Sequence, residues 1–295
     1  MIVPAAPGME RELKRLWLIS FQEESRPISL FFRMVYRPQN CLVYLFHGKV
    51  ASAVHLLPCS VQLGGGHTAQ AHYIYAAATF PEYRGKGLMA SLLAYAALYG
   101  AAHGQMYSLV LPASDSLYAF YEAAGYLPFF QLDMQTASAH ELSAFSSPSK
   151  QKVRQVPAFA QLTRVRNNVL RNRTGSALWT ADALFYAERS ARLYGGGLLS
   201  AGSSAAPSYA LCSGGKECAV TEWIAKPSDR PALLRLLLDR VPSKSYRFRF
   251  PAGMQPPVPD LPVQRQPFGL IKPLSCAELP AVETNALPYL GMTLD

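Results

Sequence analysis

The spacing of apolar and polar positions divides residues 71–126 into alternating strands and helices. Residues 71–80 are rich in aromatic and β-branched side chains between Gly-rich and Pro boundaries, which predicts a strand. From Leu88 to Ala102, apolar residues recur every three or four positions, which predicts a helix. A second strand is predicted over Met106–Leu111 and a second helix over Leu117–Ala124. A Gly-rich, basic turn therefore joins the first strand to the first helix.

This turn has the composition of an anion-binding site. Gly85 and Gly87 let the backbone approach an anion without an intervening Cβ, and the free N–H groups of the helix start favour negative charge. Arg84 and Lys86 add formal positive charge. Short Gly-x-Gly turns also join strands to helices in proteins that bind no phosphate. The turn by itself leaves phosphate binding and a structural role open.

The second helix is bounded by recognisable end signals. Ser114 precedes it as a candidate N-cap, and Gly125 follows it as the C-terminal stop. The helix ends in the sequence Tyr-Glu-Ala-Ala-Gly-Tyr, residues 121–126.

The turn and this helix end together resemble the GCN5-related N-acetyltransferase (GNAT) family, over roughly residues 9–134. That family has an Arg/Gln-x-x-Gly-x-Gly/Ala turn before a helix and a later Tyr-Glu-x-x-Gly-Phe/Tyr helix end. Arg84 and Gly87 match the first motif, while Met89 departs from its small residue. The Arg-Gly-x-Gly-Leu-Met form looks like the branch that includes the mycobacterial enhanced-intracellular-survival acetyltransferases.

The resemblance implies an α/β fold with a mixed, mostly antiparallel sheet flanked by helices. Acetyl-coenzyme A would lie where the two parallel strands splay apart, with backbone groups of Ala77 and Thr79 on its pantetheine arm and the turn amides on its pyrophosphate. Many family members have an Asn at the place of Ser114, although capping explains Ser114 without a function. The expected cofactor-binding residues are Ala77, Ala78, Thr79, Arg84, Gly85, Lys86, Gly87, Leu88, Met89 and Ser114.

Tyr121 falls where the family places the tyrosine that protonates the departing thiolate. A thiol with a pKa near about 8.5 needs only a modest acid, and a phenol near about 10 supplies a proton once it is oriented. A backbone N–H near Thr79 would stabilise the oxyanion. The alternative for Tyr121 is an ordinary core aromatic on a short amphipathic helix.

The sequence offers several weak candidates for contact with the substrate. His72 and Tyr75 lie on the strand expected to border the groove, and alternation puts them on opposite faces. Glu222 lies on the corresponding strand of the second half, and the carboxylate of Asp295 closes a last strand-like run. A structural or ion-paired role is the simpler explanation for His72 and for Glu222.

A chain of 295 residues predicts two domains. The Ser-rich segment Thr136–Val156 has the composition of a linker, so we expect a catalytic acetyltransferase domain over 1–146 and a second domain over 147–295. The second half repeats the order of strands, Pro-containing loop and apolar helix. It lacks glycine in its turn, and Pro231 has no N–H to offer a phosphate. We expect a degenerate acetyltransferase-like domain, with an unrelated α/β domain as the alternative.

The net charge of +9 lies entirely in the second half. Arg164, Arg166, Arg171 and Arg173 are predicted on one helix, and residues 247–250 alternate Arg with Phe as in a strand. We expect a solvated basic face, and neither a nucleic-acid module nor a membrane anchor. The five cysteines are scattered, the six histidines show no metal spacing, and the charged start is not a signal sequence. These features predict a cytoplasmic protein without a metal.

The sequence thus predicts an N-acetyltransferase that moves an acetyl group from acetyl-coenzyme A to a primary amine, by direct attack in a ternary complex. The acceptor is a small molecule or a peptide, and the general base and oligomeric state stay open. The alternative is a non-catalytic coenzyme A-binding module whose basic second domain binds an acidic partner.

Overall fold

The computed structural model describes residues 1–148 and 157–292. Its helices are α1 Glu10–Phe21, α2 Ser25–Met34, α3 Leu88–Ala102, α4 Asp115–Ala123, α5 Ala139–Phe145, α6 Phe159–Leu170, α7 Ala181–Leu193 and α8 Arg230–Arg240. Its strands are β1 Ile2–Pro4, β2 Cys41–Phe46, β3 Lys49–Gly64, β4 His67–Thr79, β5 Tyr107–Val110, β6 Leu127–Pro128, β7 Gln131–Ser138, β8 Ala177–Leu178, β9 Gly197–Gly202, β10 Pro207–Ser213, β11 Glu217–Ile224, β12 Ser245–Pro251, β13 Gln264–Pro267 and β14 Leu270–Pro273.

The chain forms two compact units that are interleaved along the sequence. Unit 1 comprises Met1–Val61, Thr68–Phe129 and Gly269–Leu279. Unit 2 comprises Gln62–His67, Phe130–Phe268 and Pro280–Asp295. The boundary expected near residue 147 falls within the long central range of unit 2.

The sheet of unit 1 runs in the order β1-β2-β3-β4-β5-β14-β6. Strands β4 and β5 pair in parallel, whereas β14 is antiparallel to both of its neighbours. Helix α3 has the predicted ends, and the predicted strands and second helix are present with ends shifted by a few residues. The α/β fold class, with a mixed and mostly antiparallel sheet, is confirmed.

Helices cover both faces of this sheet, as the alternation of β4 requires. Ile74 packs in a core with Leu92 and Leu93 of α3. Tyr75 points to the other face, where its ring lies 5.6 Å from Trp17 of α1 and 5.3 Å from Phe31 of α2. The parallel pair β4 and β5 therefore lies in the middle layer, with α3 following directly from the end of β4.

The sheet of unit 2 runs in the order β13-β7-β12-β11-β10-β9. Strands β11 and β12 pair in parallel and are joined through α8. The pairs β9–β10, β10–β11, β7–β12 and β7–β13 are antiparallel. Leucines of α8 pack on this sheet in a core that includes Trp223, Tyr246, Phe248 and Phe250.

Each unit contains one strand from the other half of the sequence. In unit 1, β14 lies between β5 and β6 although it follows β5 by about half the chain. In unit 2, β7 lies between β12 and β13 although it precedes both. The chain enters unit 2 after Phe129 and returns to unit 1 after Phe268. This exchange of strands explains why the units are interleaved in sequence.

The prediction of a linker over Thr136–Val156 is wrong for residues 136–145. Residues 136–138 belong to β7, and α5 starts with a capping box in which the Ser138 hydroxyl accepts from the Glu141 N–H. Leu142 of this helix is fully buried. Ser138 and Glu141 are capping residues here. Composition alone does not distinguish a helix start rich in such residues from a linker. Residues 149–156 lie outside the described ranges.

Candidate active site

The Gly-rich turn follows β4 and ends at the start of α3. Gly85 and Gly87 have φ angles of 73° and 71°, in the left-handed region that favours glycine. A Cβ built at either position meets no atom within 4 Å, so the turn faces open space. Gly87 is the N-cap of α3, and the carbonyl of Gly87 accepts from the Ser91 N–H. The backbone of this turn is therefore both exposed and held in a shape that glycine permits.

Six consecutive amides at this helix start have no partner among the described residues. The first amide of α3 that donates within the structure is that of Ser91, so the N–H groups of residues 85–90 donate to no described acceptor. Such amides carry the positive end of the helix dipole. They form a donor set that fits a diphosphate.

The two cations of the turn are anchored on unit 1. Arg84 Nε donates to the carbonyl of Thr79 at the end of β4 over 3.0 Å. Lys86 Nζ lies 5.3 Å and 5.4 Å above the ring centroids of Phe46 and Tyr83. Both side chains are exposed. Positive charge therefore stays beside the free amides.

Strand β4 contains an irregularity that the sequence did not reveal. Ala76 has a φ of 47°, which costs a non-glycine residue about 1–2 kcal/mol. Ile74 and Ala77 both pack on the α3 side, although strict alternation would separate residues three apart. The pairing of β4 with β5 runs from Ala71 to Tyr73, before this bulge. Ala77, Ala78 and Thr79, at the end of β4, lie beyond this pairing, and the Phe80 N–H that follows them donates to the Ala51 carbonyl over 3.0 Å.

The end of β4 is held partly by side chains. Ser52 Oγ donates to the carbonyl of Ala78 over 2.8 Å and lies 2.7 Å from Thr79 Oγ1. Leu88 is buried and Met89 is partly buried against the unit 1 core, so the first turn of α3 is fixed beside this strand end.

Tyr121 lies in α4 with its ring in the unit 1 core. It packs edge-on against Phe120 and Tyr126, at 5.4 Å and 5.7 Å between ring centroids. Burial raises the pKa of Tyr121 to about 12, so its phenol is protonated at neutral pH. Its hydroxyl makes no hydrogen bond to the described residues, whereas the Tyr126 hydroxyl lies 2.7 Å from Ser108 Oγ. The Tyr121 hydroxyl is therefore protonated and donates to no acceptor among the described residues.

The expected side-chain cap by Ser114 is wrong. Ser114 occupies the N-cap position of α4, but its side chain makes no capping hydrogen bond. Its hydroxyl lies instead 2.9 Å from the hydroxyl of Ser116. The Leu117 N–H donates to the Ser114 carbonyl, so the Ser114 hydroxyl is not needed as its acceptor and can bond Ser116.

His72 and Tyr75 face opposite sides of β4, as alternation predicts. His72 is completely buried, with Nδ1 2.5 Å from Gln105 Oε1 and its ring against Gly100 of α3. Burial lowers the pKa of His72 to about 4. This environment is that of a structural histidine. Tyr75 is only partly buried, in the aromatic group that includes Trp17.

Glu222 is completely buried within unit 2. Its Oε1 accepts from Arg166 Nε over 2.8 Å, and its Oε2 accepts from the Tyr209 hydroxyl over 2.9 Å. Both carboxylate oxygens therefore accept a hydrogen bond within unit 2. This is the structural, ion-paired role that the sequence analysis gave as the simpler explanation for Glu222. Asp295 lies outside the described residues.

The expected solvated basic face is only partly present. Arg166 is buried in its ion pair, Arg173 donates to the carbonyls of Ala252 and Leu287, and Arg247 pairs with Glu217. The predicted alternation of residues 247–250 is confirmed, because Phe248 and Phe250 are buried while Arg247 and Arg249 are not. Arg166 and Arg247 are therefore ion-paired and Arg173 is bound to backbone carbonyls, so these three arginines do not form a fully solvated face.

Two further features concern the described residues as a whole. No group of three or more His, Cys, Asp or Glu side chains among residues 1–148 and 157–292 is arranged to hold a metal ion. Every helix in these ranges is too short or too polar to cross a bilayer.

Residues 2–129 match the family model of an acetyltransferase (GNAT) domain. The matched part of the chain contains the turn, the end of β4 and Tyr121, so these residues lie in a region similar to a GNAT acetyltransferase domain. A sequence comparison with curated proteins finds no match.

Solved structures share the fold across nearly the whole chain. A conserved protein of unknown function from Enterococcus faecalis, a probable N-acyltransferase, is 17% identical with a TM-score of 0.70, over 93% of this chain and 72% of that one. A GCN5-related N-acetyltransferase from Anabaena variabilis is 14% identical with a TM-score of 0.70, over 92% and 72%. Eis1 from Mycobacterium abscessus is 11% identical with a TM-score of 0.64, over 92% and 73%. The fold and the domain match support acyl transfer as the class of reaction.

Proposed function

We propose that unit 1 transfers an acetyl group from acetyl-coenzyme A to a primary amine by direct attack in a ternary complex. The observation that carries this proposal is the run of six unpartnered amides at residues 85–90, beside the cations Arg84 and Lys86. Bound acetyl-coenzyme A supplies an activated thioester, and its diphosphate fits these donors. The end of β4, at Ala77, Ala78 and Thr79, continues from the turn and offers backbone groups for the pantetheine arm.

Tyr121 is the proposed proton donor to the leaving thiolate. Its pKa of about 12 keeps the phenol protonated but makes it a weaker acid than a thiol of about 8.5. Complete proton transfer would be uphill, so the phenol acts best as a hydrogen-bond donor that stabilises the sulfur charge as it develops. The free hydroxyl of Tyr121 is consistent with this role.

Unit 2 is proposed to be an acetyltransferase-like domain that has lost its cofactor site. Its order β11-β12-β7-β13 repeats the order β4-β5-β14-β6 of unit 1, with one parallel pair in the same place. Strand β11 also has a bulge after its parallel pairing, because the register on β10 shifts at Leu211. The start of α8 differs, since Asp229, Arg230 and Pro231 replace the glycine turn. The Asp229 N–H donates to the Lys226 carbonyl and Pro231 has no N–H, so this helix start offers fewer donors than that of α3.

The test of the proposed function is coenzyme A binding and thiol release. Calorimetry on the full chain should detect coenzyme A binding, and Gly87→Glu should abolish it by placing a strained, negative side chain among the amides. Gly104→Glu is the matched control. Gly104 also has a left-handed φ of 76° and an open Cβ position, but it lies beyond the other end of α3.

The chemistry is tested with acetyl-coenzyme A and a panel of small and peptide amines. Release of free thiol that depends on the amine supports transfer. Coenzyme A binding without release by any amine in the panel would contradict the proposed transfer and favour a binding module. Unchanged affinity in Gly87→Glu would overturn the assignment of the turn.

A further inference from the structure

Unit 2 contains a cavity of about 300 Å³ that the proposed chemistry does not use. It opens between α6, the end of β11 and the loop that follows β12. This volume is at the lower end of the range of about 300–1,000 Å³ typical of small-molecule sites. The cavity is therefore large enough for a small organic ligand and too small for a cofactor.

The walls of the cavity are mostly hydrocarbon. Val165 and Val169 lie one turn apart on the same side of α6, and both are partly exposed toward this space. Ile224, Ala225 and Met254 line the cavity as well. An apolar body would gain by leaving water here, since about 25 cal/mol is gained per Å² of apolar surface buried.

The guanidinium of Arg230, which lines this cavity, has a buried N–H donor without an acceptor. Arg230 Nη2 donates to Gln255 Oε1 over 2.9 Å, but Arg230 Nε is buried and has no hydrogen-bond partner in the structure. Burial also lowers the pKa of Arg230. A buried donor without an acceptor costs about 1–3 kcal/mol, and more when it is charged. An anionic acceptor in the cavity would remove this cost.

The other charged and polar groups beside Arg230 are already engaged. Asp229 Oδ2 accepts from Ser208 Oγ over 2.7 Å, and Lys226 Nζ donates to the Ala206 carbonyl over 3.1 Å while staying exposed. Arg230 forms no ion pair with a described carboxylate. Arg230 and Lys226 bring two positive charges to this place and Asp229 brings one negative charge, so the local net charge of +1 balances one negative charge, whereas a phosphate monoester carries about 1.5–2. The charge therefore favours a monocarboxylate.

We propose that this cavity of unit 2 binds a small monocarboxylate with an apolar body, whose carboxylate accepts from Arg230 Nε while its hydrocarbon lies against Val165, Val169 and Ile224. The site is separate from the proposed acetyl-transfer residues, which all belong to unit 1. The proposal concerns binding only and does not depend on acetyl transfer.

Calorimetric titration of the full chain with octanoate tests this site, with octan-1-ol as the uncharged analogue of equal chain length. We expect one octanoate per chain and at least about tenfold weaker binding of octan-1-ol, because a charge-assisted hydrogen bond is lost. Arg230→Met should weaken octanoate to the same extent. Arg240→Met, which removes an exposed arginine from the same helix, should leave octanoate affinity unchanged.

A second variant keeps the test decisive if Arg230→Met unfolds. Val169→Trp fills the cavity from α6 and should abolish octanoate binding while leaving Arg230 in place. Absence of octanoate binding to the parent protein, equal affinity for octanoate and octan-1-ol, or retained binding in a folded Val169→Trp protein would each overturn the proposal.

Discussion

Arg166 Nε donates to Glu222 Oε1 over 2.8 Å in a part of unit 2 where neither side chain is exposed to solvent. Nη1 and Nη2 of Arg166 each donate as well, to the carbonyls of Ala177 and Leu290. Tyr209 supplies the second hydrogen bond to Glu222. The pair therefore ties α6 and β11 to the buried C-terminal segment around Leu290.

Glu222→Gln should strongly destabilise the protein, because it leaves the Arg166 charge buried without a counter-charge. Removing one member of a buried ion pair costs about 3–5 kcal/mol. Denaturant unfolding checks this value. Glu217→Gln is the matched control on the same strand, where the partner Arg247 is exposed, and it should cost less than about 1 kcal/mol. Equal losses in the two variants would contradict a special role for the buried pair.

Tyr121→Phe should reduce amine acetylation by about 10- to 100-fold, because a hydrogen bond to the developing sulfur charge is lost, with little change in coenzyme A affinity. The ring stays in the core, so folding should be preserved. Because the pKa of Tyr121 is about 12, its ionisation should not lower the rate between pH 7 and about 10. Turnover and coenzyme A titrations measure both effects. Tyr118→Phe, on the same helix, is the control, and a Tyr121→Phe enzyme as active as this control would remove Tyr121 from its role.

Local patterns predicted the elements around the proposed cofactor site well. Helix α3 has the ends predicted from its periodicity, since Gly87 before it and Gly104 after it are strong helix boundaries. The left-handed glycines of the turn were also predictable, because glycine is the residue that this geometry favours. The bulge at Ala76 was not, since alanine gives no signal of a positive φ and only its neighbours impose one.

Long-range relationships were the part that the sequence could not provide. Strand β14 completes the sheet of unit 1 from far along the chain, and no local pattern marks it for that sheet. In the same way, the sequence predicts Arg166 as one of several arginines on a solvated helix, whereas the fold pairs it with the distant Glu222. Burial of both charges depends on the packing of α6 against the sheet, which composition does not encode.

Two buried histidines predict that the protein loses stability in mild acid. Burial lowers the pKa of His55 to about 3 and that of His72 to about 4, against about 6.5 in an unfolded chain. Below about pH 6.5 the unfolded state binds more protons than the folded state, so the free energy of unfolding falls as pH decreases toward 4. Each histidine contributes up to about 1.4 kcal/mol per pH unit in that window.

His55→Phe isolates one of these contributions. His55 lies among the rings of Trp17, Phe31 and Phe32, at 4.9–6.0 Å between centroids, so an aromatic replacement keeps the packing. Whatever its stability at pH 7, this variant should lose stability less steeply between pH 6 and 4.5, by about 1 kcal/mol per pH unit. Urea unfolding at several pH values measures the slope, and His67→Phe at the exposed start of β4 is the control. A slope equal to that of the parent protein would mean that His55 takes up its proton as easily in the folded state as in the unfolded one.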